Sequence, residues 1–483
     1  AGSVTQAVDF GGNEEATQIC SGYAHVCALL RSRRIKCWGW NSVGQLGIQT
    51  TGNRGADAAQ MGDNLCAVNL GTLLHPTSVV CGTYHTCALM ADKSVRCWGD
   101  NRYGQLGIGS TQSAYGTSGG DAMGNAMPIV QTGGADVMEV AVGETFTCVL
   151  LAALNVKCFG IENGYDDLQT RDGSSVPADV ALGGQSVSHI AGVGYKTICA
   201  VFSDGKGLCW GGDENGIVGN GDSKTDTVGD AVGEMALSSS YLVGGFQIGH
   251  FVSSAIGKRA CVILDNTHEL RCWGLGYGST GSTALAVAPF SGMEILAVAF
   301  TEDVDSTCVL TVERALFCTG IGYFGVTSTG LQNFYGATSP ALGVASVTGG
   351  NAVGAPPCYE CAKSTYKAEN ICLPCGQCAS AQYESTICSG NVNTVCSDCS
   401  EICEYPRIQQ VTAECDKTTD LQCAFSCAIG SEFVGRDTAN KRIVAGTYHT
   451  CAIMRGNLLK CWGSNSYGQL GINIDSKVGD SAG

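Results

Sequence analysis

Short apolar runs and polar turns alternate along the chain in an order that recurs seven times. In the first copy, the apolar run that begins at Cys27 is followed by the polar stretch Arg31–Arg34 and then by Ile35-Lys36-Cys37-Trp38-Gly39. Short apolar runs on either side of a tight polar turn predict a β-hairpin. Folding about Ser32 sets Cys27 opposite Cys37, where Cα atoms at a non-hydrogen-bonded position lie about 4.5 Å apart, within reach of a disulfide.

Each copy carries two cysteines with nine residues between them, except the fifth, which has ten and predicts a β-bulge. Successive first cysteines are 60, 61, 51, 62, 47 and 143 residues apart, a period typical of propellers and solenoids. Each disulfide would add about 2–3 kcal/mol in the chain-entropy model and support a small, glycine-rich sheet. The pairs are Cys27/Cys37, Cys87/Cys97, Cys148/Cys158, Cys199/Cys209, Cys261/Cys272, Cys308/Cys318 and Cys451/Cys461.

A longer motif surrounds these cysteines. The pattern Gly-x-x-His-Thr-Cys-Ala-Leu, followed by Cys-Trp-Gly-x-Asn-x-x-Gly-Gln-Leu-Gly, is best seen at Gly82–Gly107 and Gly446–Gly471, with Gly22–Gly47 close behind. It resembles the repeat of the regulator-of-chromosome-condensation superfamily, strongly in copies one, two and seven and weakly in copies three to six. The resemblance covers most of residues 1–350 and 430–483. It implies an all-β fold, a seven-bladed β-propeller.

The two ends of the chain predict how such a ring closes. Met61–Gly71, between the first two copies, has the pattern of an outer or linking strand, and no such strand follows the seventh copy before Gly483. The segment Gln6–Gly11 has the matching pattern. We therefore expect the N-terminal strand to complete the last blade, which leaves no long exposed sheet edge at the seam.

The long interval before the seventh copy contains twelve cysteines. Its spacing from Cys361 to Cys399, together with Tyr383 and the run Asn393-Thr394-Val395-Cys396, resembles the tumour necrosis factor receptor cysteine-rich repeat. The domains expected are thus a propeller (1–352), an insert (353–427) and the last blade (428–483). Zinc held by four thiolates is the alternative to disulfides in this insert, but the hairpin cysteines already imply an oxidising environment. The resemblance implies the pairs Cys361–Cys372, Cys375–Cys388 and Cys378–Cys396; a looser second unit would pair Cys399–Cys415 and Cys403–Cys423, with Cys358–Cys427 at the neck.

Three cysteines remain outside these sets. Cys66 and Cys81 flank a short loop and could pair, although the sequence leaves the pairing of the three open. Cys20 is then an odd thiol, either buried or bonded to another molecule, and we favour the buried thiol.

Composition limits the functions open to the chain. With 29 cysteines it is expected outside the cytosol, extracellular or at the cell surface. The formal net charge of −16 argues against binding to nucleic acid. No apolar run approaches the ~20 residues of a membrane span. We find no phosphate loop, nucleophile elbow or HExxH motif, and therefore expect no catalytic residue and no cofactor. Weak calcium binding by acidic loops is the exception considered, at Asp166-Asp167, Asp222/Asp226 and Glu302–Asp305.

A few side chains stand out from the repeat. His25, His85 and His449 recur two residues before the first cysteine; packing is favoured over a ring of metal ligands. The tryptophan after the second cysteine is expected in the core. Trp40 falls outside the pattern, and with Cys20 it is our candidate for an interaction site.

These features favour an extracellular, non-catalytic protein that works through protein–protein contacts. The partners would be copies of itself or a larger assembly such as a coat, matrix or filament. The alternative is a receptor ectodomain or secreted module that binds a protein or glycan. This chain is similar in domain composition to plant Crinkly-type receptor kinases, although it places the cysteine-rich module before the last blade. Divergence of copies three to six favours their loops as the surface that contacts a partner.

Overall fold

The described part of the chain consists almost entirely of β-strands and turns. The computed structural model describes residues 7–160, 178–219, 247–274, 285–321 and 442–472, with gaps of up to six residues, and short strands between 334 and 398 and at 477–478. The helices described over their full length are three 3-10 turns, η1 (Ala58–Gln60), η2 (Gly62–Asn64) and η3 (Gly124–Ala126). None of the described helices is long and apolar enough to cross a membrane.

The chain divides into two compact units, of which the larger comprises Ala1–Gly350 and Gly435–Gly483. It contains seven small antiparallel sheets, which confirms the expected seven-bladed propeller. The first strand of each blade lines a central channel. These strands are β1 (Ala16–Ser21), β4 (Pro76–Cys81), β8 (Val137–Val142), β12 (Val187–Gly192), β15 (Ile248–Phe251), β19 (Ile295–Phe300) and β28 (Ile443–Ala445).

The second and third strands of each blade form the cysteine hairpin. In blade one Cys27 lies directly opposite Cys37, with Cα atoms 4.1 Å apart. The second strands are β2 (His25–Leu30), β5 (His85–Met90), β9 (Phe146–Leu151), β13 (Thr197–Phe202), β16 (Arg259–Leu264), β20 (Thr307–Thr311) and β29 (His449–Ile453). The third strands are β3 (Ile35–Gly39), β6 (Val95–Asp100), β10 (Val156–Gly160), β14 (Gly207–Gly211), β17 (Leu270–Gly274), β21 (Leu316–Ile321) and β30 (Leu459–Ser464).

The outermost strands are short. They are β7 (Ala114–Tyr115), β11 (Ala178–Asp179), β18 (Leu285–Ala286), β22 (Phe334–Tyr335), β23 (Ala345–Val347) and β31 (Lys477–Val478). In blade one the expected outer strand, 61–71, is reduced to a single bridge between Ala67 and Lys36 and one hydrogen bond from the Val68 amide to the Ile35 carbonyl. The Lys36 ammonium also donates to the carbonyls of Phe10 and Gly62 at 2.8 and 2.9 Å.

The expectation of a bulge in the fifth hairpin is wrong. Cys261 and Cys272 are paired in unbroken register from Arg259 to Ile263. The extra residue lies in the turn, where the Leu264 amide donates to the Glu269 carbonyl. A longer turn keeps both cysteines opposed, so the sheet needs no distortion.

The N-terminal segment closes the ring, as expected. The Val8 amide donates to the Leu459 carbonyl of blade seven at 2.8 Å. Val8 and Phe10 are 7% and 4% exposed and pack with Ile453 and Leu470 in one core cluster. The strand β28 also contacts both β1 and β19. The N-terminal segment thus joins blade seven through one backbone hydrogen bond and two buried side chains, without forming a strand over residues 7–10. The expectation that no outer strand follows the seventh copy is wrong, because β31 pairs with β30.

The second unit, Asn351–Val434, contains two described hairpins. They pair β24 (Thr365–Ala368) with β25 (Ile371–Pro374), and β26 (Gln382–Thr386) with β27 (Val395–Asp398). The cysteine side chains of this unit lie outside what the structure describes. The six disulfides expected there and the domain limits 353–427 therefore stay predictions.

Candidate functional site

The central channel is a small cavity of about 90 Å³. Its wall is mostly apolar, from residues such as Ile19, Val140 and Phe251. One polar contact faces it, with His189 Nδ1 2.9 Å from a Glu139 carboxylate oxygen. Pockets for small organic ligands occupy about 300–1,000 Å³. The channel therefore has room for a few water molecules but not for a substrate of that size.

The three repeated histidines join neighbouring blades. His25 Nε2 lies 3.2 Å from the Thr86 hydroxyl, and His85 Nε2 lies 2.9 Å from the Thr147 hydroxyl. His449 Nε2 lies 2.8 Å from the Ser21 hydroxyl and thereby joins blade seven to blade one. We call His25, His85 and His449 the inter-blade histidines.

Burial keeps these imidazoles neutral. All three are fully buried, and desolvation lowers the pKa of His25 to about 3, of His85 to about 4 and of His449 to about 3. A neutral ring hydrogen-bonded to a hydroxyl is a structural element rather than a base poised near neutral pH. The expectation that these residues serve packing is confirmed.

The Gly-Gln-Leu-Gly loop of one blade holds the tryptophan of the next. The Gln45 carbonyl accepts hydrogen bonds from Trp98 Nε1 at 3.0 Å and from the Thr86 hydroxyl at 3.0 Å. Trp38 Nε1 donates to the Gln469 carbonyl at 3.0 Å in the same way. These two loops thus satisfy the indole N–H of a large core side chain, while the third, at 104–107, accepts from the Thr147 hydroxyl instead. As expected, the tryptophans that follow the second cysteines are buried: Trp38, Trp98, Trp210, Trp273 and Trp462.

A glycine lets each loop approach closely. Gly99 has a φ of 102°, in the left-handed region. A Cβ there would lie 2.6 Å from the Tyr84 carbonyl oxygen and 3.2 Å from Gln45 Cα. The Cys-Trp-Gly motif therefore needs glycine both for its backbone conformation and for the contact between blades.

A disulfide joins the two cysteines of every hairpin. The Cα atoms of each pair lie 4.0–4.1 Å apart, closer than the expected 4.5 Å or so, because a bond between directly opposed side chains draws the two strands together. These cysteines are at most 2% exposed, so they stabilise the blades and offer no surface to a partner. The bonded pairs are Cys27–Cys37, Cys87–Cys97, Cys148–Cys158, Cys199–Cys209, Cys261–Cys272, Cys308–Cys318 and Cys451–Cys461.

The pairing of Cys66 with Cys81, one of those the sequence leaves open, does not form. Cys20 is bonded to Cys81 and links the first strands of blades one and two. Cys66 is an exposed free cysteine. Cys20 is therefore not the odd thiol, and as a buried disulfide partner it offers no interaction site.

Several sulfur atoms lie close together where the Cys20–Cys81 disulfide links blades one and two. Among the described residues, the one group of three potential metal ligands is Cys20, Cys27 and Cys81, whose sulfurs lie within 4.8 Å of one another. All three sulfurs are already in disulfides. The acidic loops proposed for calcium, at Asp166-Asp167, Asp222/Asp226 and Glu302–Asp305, lie outside the described residues and stay predictions.

Backbone hydrogen bonds connect the turns between first and second strands around one mouth of the channel. The Thr447 amide donates to the Tyr23 carbonyl, the Tyr23 amide to the Thr83 carbonyl, and the Thr83 amide to the Gly143 carbonyl. The turns of blades seven, one, two and three are thus held in a fixed arrangement, and side chains on them keep fixed relative positions.

Four aromatic rings meet on this face. Trp40, which follows strand β3, lies 6.0 Å from Tyr23, 5.6 Å from Tyr84 and 5.8 Å from Tyr467, measured between ring centroids. Tyr23 and Tyr84 are 5.8 Å apart. Three of the rings are partly buried, and Tyr467 is 40% exposed. We call Tyr23, Trp40, Tyr84 and Tyr467 the aromatic cluster; it belongs to blades seven, one and two.

One ion pair borders the cluster. Asp100 occupies in blade two the position of Trp40, and it accepts hydrogen bonds from Arg102 Nε and Nη2 at 2.9 Å each. These hydrogen bonds raise the pKa of Arg102. The Arg102 guanidinium carbon also lies 5.8 Å from the centroid of the Tyr103 ring. The charge of Arg102 beside the cluster is therefore already paired.

Sequence reasoning singled out Trp40 but missed its partners. Tyr23 and Tyr84 stand at different positions of the repeat, and Tyr467 belongs to the far end of the chain. Ring closure brings them together, so no local pattern marks them. The divergent loops of blades three to six, which we favoured as the contact surface, lie mostly outside the described residues.

Comparison with protein families identifies the repeat. A model of the regulator of chromosome condensation (RCC1) repeat matches residues 16–45, 77–105 and 441–469, and a second RCC1-repeat model matches residues 94–150. The protein is thus a β-propeller in which these segments match RCC1-repeat models, and most of the matched residues lie in the blades that carry the aromatic cluster.

Curated relatives are similar to less than half of the chain. It is 28% identical over 215 residues to the ultraviolet-B receptor UVR8 of Arabidopsis thaliana, which is 43% of this chain and 43% of the relative. It is 28% identical over 210 residues to the probable E3 ubiquitin-protein ligase HERC4 of Homo sapiens, which is 43% of this chain but 18% of the relative. The matched part spans less than half of each relative.

Solved structures support the fold. Human WBSCR16 aligns with a TM-score of 0.53 and 18% identity over 70% of this chain and 84% of that chain. Yeast RCC1 (Prp20), solved with Kap60, aligns with a TM-score of 0.53 and 13% identity over 98% of this chain and 87% of that chain. At these identities the similarity concerns the propeller fold alone.

Proposed function

We propose that this protein is an extracellular, non-catalytic binding subunit that contributes to a larger assembly through protein–protein contacts. The aromatic cluster is the observation that carries the proposal. Tryptophan, tyrosine and arginine are the residues that most often dominate binding energy at protein interfaces, while unpaired charges are depleted there. The cluster combines four aromatic rings with a charge, Arg102, that Asp100 already pairs.

The disulfides support an extracellular location. Each blade has its hairpin disulfide within buried strands, and a further bond, Cys20–Cys81, joins two blades. Structural disulfides persist in oxidising environments and are rare in the cytosol. A propeller stapled in this way suits a protein that must last outside the cell without chaperones.

The relatives support binding rather than catalysis. One solved structure of yeast RCC1 is of a complex with Kap60, and another reports the binding properties of Prp20p to Gsp1p and histones. The ligase name of HERC4 belongs to a protein of which the match covers 18%. We carry over to this chain the use of a propeller face for protein contact, and none of those particular partners.

Affinity capture from native extracellular material tests the proposal. The full-length chain and the variant Trp40→Ser would be used as bait under non-reducing conditions, followed by cross-linking and mass spectrometry. Blade seven has Ser464 at the position of Trp40 with the same backbone hydrogen bond, so the fold tolerates the change. We expect a defined set of proteins that the variant loses. Ile129→Ala, at a 50% exposed site, is the matched control and should keep them.

The assembly role has its own measurement. Sedimentation of the native material should place the chain in large particles that contain several copies. A strict monomer at high concentration, with no protein captured by the wild-type bait, would refute both the assembly role and protein binding. Capture of a single soluble ligand at one-to-one stoichiometry would favour the second candidate, a receptor ectodomain or secreted binding module. The similarity to the ultraviolet-B receptor favours that candidate.

A further inference from the structure

Three rings of the aromatic cluster form a nearly regular triangle. The centroid distances are 6.0 Å for Tyr23–Trp40, 5.8 Å for Tyr23–Tyr84 and 5.6 Å for Trp40–Tyr84. The ring planes are inclined to one another by 59°, 44° and 78°. Rings at such angles do not form the flat platform on which a sugar ring stacks. Their centroids lie at the corners of a triangle around a common point.

That geometry suits a positive charge. A cation held about 3.5 Å above the plane of the three centroids would lie within about 5 Å of each centroid, inside the limit of about 6 Å for a cation–π contact. One cation could therefore touch three ring systems at once. The same face already shows this preference, since the Arg102 guanidinium lies 5.8 Å from the Tyr103 centroid.

The charge of the protein favours the same kind of partner. The chain carries a formal net charge of −16, and such a field attracts cationic segments and speeds their association. Arg102 does not repel them strongly, because Asp100 binds it through two guanidinium nitrogens. A second copy of this chain would bring the same negative charge, which opposes a contact between copies at this place.

We propose that Tyr23, Trp40 and Tyr84 form a binding site for an arginine or lysine side chain in a basic segment of a partner protein. This inference rests on the proposed function and names the chemistry of its partner. The side chain's guanidinium or ammonium group sits over the triangle, and the neighbouring basic residues are attracted by the net negative charge of the protein. Tyr467, which touches Trp40 at 5.8 Å, extends the apolar contact for the stem of the bound residue.

Fluorescence anisotropy with defined peptides tests this site on the full-length chain. The probe is a labelled peptide of alternating glycine and arginine, measured at physiological ionic strength beside the same peptide with citrulline, a neutral isostere of arginine. The arginine peptide should bind at least tenfold more tightly. Tetramethylammonium at millimolar concentration should displace it, because the free cation competes for the rings. Equal binding of the two peptides would overturn the proposal.

Variants taken from the protein's own repeats separate the rings from the general charge. Blade two has Thr83 where blade one has Tyr23, blade one has Ala24 where blade two has Tyr84, and blade seven has Ser464 where blade one has Trp40. The triple variant Tyr23→Thr, Trp40→Ser, Tyr84→Ala should fold, as judged by circular dichroism, and bind the arginine peptide at least tenfold more weakly. Trp40→Phe should retain most of the binding.

A control variant and three possible outcomes distinguish failure of the cation-binding site from failure of the proposed function. Ile129→Ala should bind as the wild type does. If the triple variant binds the arginine peptide as tightly as the wild type, the attraction is diffuse and the site is wrong. If the peptide fails to bind while affinity capture still depends on Trp40, the proposed function is supported and the binding site for an arginine or lysine side chain is refuted. If affinity capture also yields no protein, both the proposed function and the cation-binding site are refuted.

Discussion

Closure of the ring by the N-terminal segment is open to direct measurement. Phe10 is 4% exposed and packs edge-to-face on Trp38, with centroids 5.6 Å apart. Val8 is 7% exposed and donates to the Leu459 carbonyl. The Phe10 carbonyl also accepts a hydrogen bond from the buried Lys36 ammonium at 2.8 Å. Phe10→Ala removes the ring alone, while deletion of residues 1–12 removes all these contacts.

The magnitudes follow from these contacts. Truncating a buried phenylalanine to alanine costs about 3–5 kcal/mol of unfolding free energy. Deletion also exposes the site of Val8, worth about 1.5–3 kcal/mol, and leaves the Lys36 ammonium with one acceptor fewer, at about 1–3 kcal/mol. The loss is on the order of 5–10 kcal/mol, comparable with the whole stability of a domain, about 5–15 kcal/mol. We therefore expect the deletion to abolish cooperative unfolding of the ring.

Urea unfolding followed by tryptophan fluorescence, without reductant, gives the comparison. Phe10→Ala should lower the unfolding free energy by about 3–5 kcal/mol, and the deletion variant should show a broad transition near zero urea. Ile129→Ala, at a 50% exposed site, should change it by less than about 0.5 kcal/mol. A deletion variant with the midpoint and slope of the wild type would refute the closure.

Three further outcomes follow from the inter-blade contacts. Acidification should destabilise the propeller, because imidazoles of the unfolded chain take up protons below about pH 6.5 while the inter-blade histidines stay neutral until about pH 3–4. The free energy of unfolding, fully present above pH 6.5, should therefore fall by about 2 kcal/mol per histidine at pH 5. Urea midpoints at pH 7.5 and pH 5 measure this, and equal midpoints would contradict it. Replacing Cys20 and Cys81 by serine should lower the free energy of unfolding by about 4 kcal/mol, because their disulfide closes a loop with a sequence separation of 61, whereas Cys66→Ser should leave it unchanged. Before reduction, iodoacetamide should label only Cys66 among the described cysteines, and labelled Cys81 would contradict the pairing. Gly82→Ala places a Cβ 2.3 Å from His85 Cε1 and should lower the unfolding free energy by about 1–3 kcal/mol, as measured by urea unfolding; an unchanged midpoint would contradict the contact.

The hairpins could be predicted because their information is local. Two cysteines ten residues apart on a chain that reverses at its midpoint must face each other, and Cys27 and Cys37 do. The same argument misplaced the extra residue of the fifth hairpin, because a turn absorbs a residue at less cost than a sheet does. The contact of Val8 and Phe10 with blade seven was also predictable, since they repeat the pattern of an outer strand, whereas the two-residue outer strand β31 was missed because it is too short to leave a pattern.

The missed features depend on contacts between blades. Cys20 and Cys81 are 61 residues apart and become neighbours only when two first strands lie side by side at the channel, whereas Cys66 looked closer along the chain. The aromatic cluster was missed for the same reason, since Tyr467 reaches Trp40 through the closed ring. A sequence shows what each repeat contains, but side chains shared between repeats are set by how the blades pack.

The pairing of Val8 with Leu459 also bears on how the protein is made. The two residues are roughly 450 positions apart in the chain. At ~5–20 residues per second, the emerging N-terminal segment would wait about 20–90 s for its partner strand. The ten-residue hairpins can oxidise one by one during that time, because each is complete as soon as it is synthesised. Covalent staples formed early would thus hold unfinished blades in register until the final one arrives.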